Sequence, residues 1–181
     1  MRRKTLDLLL NWVGVLLTAV FLVAGIGMLI GYEFTSSQVK SQLVEQKVFF
    51  PTKTGMDYKD LVVAHQTQYA GQEVLTGKEA QIFANDIIGV DTAAISGGQT
   101  YAQISAASMA APSNAGLANQ VQLVFRGDTL RGLLLNAYAF GFMGVIALYG
   151  AIGMFLAALI MLALTLFGVR HFRRADPELI V

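Results

Sequence analysis

An unbroken apolar run from Leu133 to Val169 limits what this chain can fold into. It reads LLLNAYAFGFMGVIALYGAIGMFLAALIMLALTLFGV, with no charged residue and only Asn136 and Thr165 as strongly polar side chains. About 20 apolar residues cross the roughly 30 Å hydrocarbon core of a bilayer. The run is nearly twice that long, so its flanks must decide how often it crosses. Arg170, His171, Arg173 and Arg174 follow it, while Arg2, Arg3 and Lys4 open the chain ahead of a second apolar run. Basic residues beside a span mark the cytoplasmic side. Two basic ends imply an even number of crossings, so the long run is a single crossing. A hairpin folded at Gly150 would put three arginines outside and turn in lipid without polar turn residues.

The expected fold is an all-α membrane protein: two transmembrane helices flanking a small helical extracytoplasmic domain, the second helix unusually long. Residues 1–7 form a cytoplasmic tail, 8–31 the first transmembrane helix and 32–129 the outer domain. Residues 130–169 form the long helix with the second span, and 170–181 a second cytoplasmic tail. This is a multi-pass plasma-membrane topology with both termini inside. The first span is longer than a signal-peptide core and lacks an A-x-A cleavage site, which makes it an uncleaved anchor. Trp12 falls near the inner interface, and Tyr32 and Phe34 near the outer one. Charged residues make up only 14% of the chain, against about 25% in soluble domains. A net charge of +1 gives no reason to expect nucleic acid as a partner.

Between the spans the pattern is helical. Thr35 to Lys47 continues the first helix or forms a stalk, and Phe49-Phe50-Pro51 breaks it. Met56 to Tyr69 is ambiguous and favours helix. Thr76 and Glu79 have capping-box spacing ahead of an apolar face at Ala80, Phe83, Ala84, Ile87 and Ile88. Gly97-Gly98 stops that helix. Thr100 to Ala110 and Leu117 to Phe125 form two more helices, and Gly127-Asp128-Thr129 gives a break and an N-cap before the long helix.

Small residues are ordered along the spans. Gly27 and Gly31 form a G-x-x-x-G pair. Gly144, Ala147, Gly150 and Gly153 recur every three positions, and Ala147/Ala151 and Gly153/Ala157 are four-residue pairs. Lipid is as apolar as leucine, so membrane helices associate through close approach of small residues more than through burial. These residues pack either on the other span of the same chain or on a separate subunit.

The spans carry no ionisable residue in their central parts, which argues against a pump, channel or transporter acting alone. The absence of cysteine excludes disulfides, a lipoprotein anchor, covalently attached haem, iron–sulfur clusters and thiolate zinc. His65 and His171 lie on opposite sides and cannot together hold a haem. The outer carboxylates Asp57, Asp60, Glu73, Glu79, Asp86 and Asp91 show no recognised metal or acid/base spacing. The serines lack a G-x-S-x-G context. No catalytic, cofactor or metal residue is therefore expected.

The strings TGKEAQIFANDIIGV and GGQTYAQISAASMAAPSNAGLANQVQLVFRGDTLRGLLLNAYAFGFMG resemble a family of small two-span membrane proteins of actinobacteria. The likeness covers about Thr76 to Arg174, and rests on GG-x-TY at Gly97, APSN at Ala111 and GDTLRGLLLNAY at Gly127. It implies an accessory subunit of the respiratory supercomplex, in which a cytochrome bcc complex joins an aa3-type oxidase. It supplies no catalytic residue. The expected function is a non-enzymatic subunit docked into such a complex. A self-associating envelope protein, dimeric through its small residues, and an extracytoplasmic sensor with a ligand pocket are the alternatives.

Overall fold

A computed structural model describes residues 3–172; the described chain is all helix and connecting loop, with one isolated antiparallel bridge between Phe49 and Glu73. The helices are α1 (Arg3–Gln46), α2 (Tyr58–Val63), α3 (Gly77–Ile82), α4 (Gly89–Ser96), α5 (Tyr101–Ala110) and α6 (Ala115–Phe172). A 3-10 turn occupies Thr67–Tyr69, and a π-helical segment, Phe83–Ile88, joins α3 to α4. α1 and α6 are both long and apolar enough to cross a membrane. α6 is a single helix of 58 residues.

The chain divides into two compact units, residues 1–34 with 144–181, and residues 35–143. The first is a pair of helices. The second, the middle unit, holds the end of α1, the short helices and the first half of α6.

In the middle unit α1 ends where Lys47 turns to φ 50°, ahead of Pro51. The chain then pairs briefly with a later segment: Phe50 N–H donates to Gln72 O (2.8 Å) and Val74 N–H to Val48 O (2.9 Å). That pairing places Phe50 inside, stacked on Tyr69 and edge-on to Phe83. Val39 and Leu43 of α1, Leu61 of α2, Val74, Ala80, Ala84, Ile87 and Leu134 of α6 complete one apolar core. α3 opens with the capping box at Thr76 and Glu79, and α4 closes at Gly97 in the left-handed conformation. α5 opens with a second capping box, Thr100 with Gln103.

The expected break at Gly127-Asp128-Thr129 does not occur, and α6 runs through it. Thr129 Oγ1 donates to Phe125 O one turn back (2.7 Å), so it bonds within the helix instead of capping a new one. Gly127 faces the side chain of Thr92, leaving no room for a Cβ there. It is a point of close packing, not a stop signal.

Candidate functional site

Two features of the described residues carry information about function. One is the seam of the helix pair, and the other is a carboxylate cluster in the middle unit.

On α6, Gly144, Ala151, Ala158 and Thr165 are buried at intervals of seven residues. Ala147, Met154, Met161 and Gly168 are half-buried between them. On α1 the inward positions are Asn11, Gly14, Thr18, Phe21 and Gly25, alternating by three and four. A seven-residue repeat keeps one stripe facing a neighbouring helix at a shallow crossing angle. The pairs Gly14 with Thr165, Gly25 with Phe155 and Met28 with Gly150 establish the antiparallel register. Thr18 and Thr165 donate their hydroxyls to Gly14 O and Met161 O of their own helices, so neither threonine hydroxyl is left unmet in the seam. The outward faces are apolar and open to the surroundings, among them Leu16, Val23, Ile30, Leu159, Ile160 and Phe167.

The residues singled out from sequence divide across this geometry. Gly144 and Ala151 lie buried in the seam, and Ala147, Gly150 and Ala157 are half-buried. At Gly150 a Cβ would stand 2.8 Å from Met28 Sδ. Gly27 and Gly153 are exposed and Gly31 is half-buried, and a Cβ at any of the three would have no atom within 4 Å. Arg170 is exposed at the end of α6. Arg3 and Lys4 lie in α1, whereas Arg2, Arg173 and Arg174 lie outside the described residues. Gly14, Gly25, Thr18 and Ala158 are seam residues that the small-residue pattern had not singled out.

The seam makes a direct prediction. In this cysteine-free chain, Met28→Cys with Gly150→Cys cross-links within one molecule on mild oxidation in membranes. Val20→Cys with Leu159→Cys, at positions 52% and 65% exposed, does not. A gel-mobility assay under dilute oxidant reads both, and equal cross-linking of the two pairs contradicts the register.

In the middle unit, one carboxylate oxygen from each of Asp57, Asp60 and Asp91 lies within 4.8 Å of the others. Asp57 occupies the N-cap of α2 without bonding through its side chain, and Asp60 follows three residues later on the same face. Asp91 comes from the first turn of α4. Asp60 is 8% exposed, and its Oδ2 has no hydrogen-bond partner. Burial holds the Asp91 carboxyl above the usual carboxylate range, with Asp57 and then Asp60 pushing it the same way and Lys59 opposing. Sequence spacing did not reveal this cluster. His65, exposed in a left-handed conformation after α2, stands apart from the three.

An open cleft of about 250 Å³ lies between α4, α5 and α6, lined by Thr92, Ser96, Tyr101, Val124, Asp128 and Arg131 among others. It is smaller than the roughly 300–1,000 Å³ of small-molecule pockets. Comparison with family models, curated proteins and solved structures finds no match.

Proposed function

We propose that this chain is a non-enzymatic accessory subunit of a larger membrane complex. α1 and α6 cross the bilayer as an antiparallel pair, both termini lie inside, and the middle unit stands outside. The observation that carries this reading is a second apolar stripe on α6, within the middle unit. Leu123, Leu130, Leu133 and Phe140 are exposed there at helical spacing, facing away from the core. Lipid covers the apolar faces of the segment that crosses, and crossing takes only about 20 residues. The stripe on the rest of α6 calls for protein. An exposed apolar stripe of this kind, interrupted by Arg126, marks an interaction surface. The resemblance to the actinobacterial two-span family supplies the favoured partner, the cytochrome bcc–aa3 supercomplex.

The test is affinity purification of the tagged chain from membranes in mild detergent, with a visible spectrum and mass spectrometry of the eluate. Haem bands with cytochrome bcc and oxidase subunits are the expected result. Leu130→Glu with Phe140→Glu, both exposed, lowers partner recovery by about tenfold or more, as loss of an interface anchor does. A colourless eluate holding this chain alone as a dimer rejects the proposal and favours self-association.

A further inference from the structure

We propose that Asp57, Asp60 and Asp91 form a calcium site in the middle unit. The donor set selects the class of ion. Three carboxylates with no histidine or cysteine among them suit a hard cation bound through oxygen. Oxygens that bind one Ca²⁺ at about 2.3–2.6 Å stand at most about 4.6–5.2 Å apart. The three carboxylate oxygens here lie within 4.8 Å of one another, close enough to face one such ion. Mg²⁺ demands near-ideal octahedral geometry, keeps several waters and is usually held through one or two carboxylates, so a set of three favours Ca²⁺.

The second observation is Asp60 itself. A buried carboxylate oxygen without a hydrogen bond is costly unless something positive compensates it. The nearby groups of the cluster are two more carboxylates, which worsen the cost, and Lys59, which offsets part of the charge at Asp91, is exposed. A divalent ion reverses the sign of that interaction and takes up the free lone pairs. Water completes the coordination on the open side, where Asp57 and Asp91 are only half-buried.

The test uses the full chain in detergent micelles, stripped with EDTA, titrated with CaCl₂ by calorimetry and followed by thermal unfolding. The expected result is one Ca²⁺ per chain and a raised unfolding midpoint. Asp91→Asn weakens binding by about tenfold or more. In EDTA the same variant melts no lower than the wild type, because it lacks the repulsion, and this separates loss of a ligand from misfolding. Asp86→Asn, which alters a carboxylate outside the cluster, keeps the wild-type response. Absence of binding up to about 10 mM Ca²⁺, above the millimolar range of weak calcium modules, overturns the proposal. So does Asp91→Asn with wild-type affinity, Asp86→Asn with an equal loss, or Mg²⁺ binding more tightly than Ca²⁺.

Discussion

Gly77→Leu is expected to unfold the middle unit at temperatures where the wild type is folded. Gly77 is buried at the start of α3, where that helix crosses α6. A Cβ there would stand 3.0 Å from the Ala137 carbonyl oxygen, 3.1 Å from Gly141 Cα and 3.2 Å from Tyr138 Cα. All three are backbone atoms of a helix, so no rotamer change can make room. The alternative is for α3 to lift from α6, which uncovers Ala80 and Ala84. Overpacking against movable side chains costs about 1–3 kcal/mol, and more where the neighbours cannot relax. A loss of about 3 kcal/mol or more is therefore expected, read as lost hydrogen-exchange protection at the amides of Ala80 and Ala84. Gly132→Leu supplies the comparison. Nothing lies within 4 Å of its Cβ position, so the change stays within about 0.5 kcal/mol or stabilises slightly through helix propensity. Equal behaviour of the two variants would contradict the close crossing.

The second large effect is Phe50→Ala. Phe50 is 1% exposed and joins parts of the chain that have no covalent reason to meet. Its ring centroid lies 5.2 Å from that of Tyr69 and 5.4 Å from that of Phe83. Removing it leaves a ring-sized void among Leu61, Val74 and the aromatic pair, at a cost of about 3–5 kcal/mol. Denaturant unfolding of the middle unit, followed by near-ultraviolet circular dichroism, should show a lowered midpoint with an unchanged slope. Phe49→Ala, one residue earlier and 54% exposed, should change it by only about 0.5 kcal/mol. A similar loss in both would mean that Phe50 does not anchor this core.

How much of this could be read from the residues depends on how local each signal is. The two long helices were legible because an apolar run and its basic flanks lie next to each other in sequence. The capping box at Thr76 and Glu79 was legible for the same reason. The equivalent box at Thr100 and Gln103 has the same spacing and could have been read the same way. Gly127 was misread because glycine serves two ends, stopping a helix and admitting a neighbour, and only the position of Thr92 separates them. Gly14 and Gly25 meet α6 while Gly27 does not, a matter of which way each points around α1. The carboxylate cluster joins Asp57 and Asp60 to a residue beyond a loop and a helix. No spacing rule reaches across that distance.

The segment Phe83–Ile88 bears on that last arrangement. Its wider i-to-i+5 bonding sets the angle at which the helix emerges from it. In an α-helix each residue advances the azimuth by about 100°. A one-residue slip in that short stretch would swing Asp91 a quarter-turn or more away from α2. The segment thus works as an angular spacer, and the meeting of three acidic side chains is a matter of helical phase as much as of proximity.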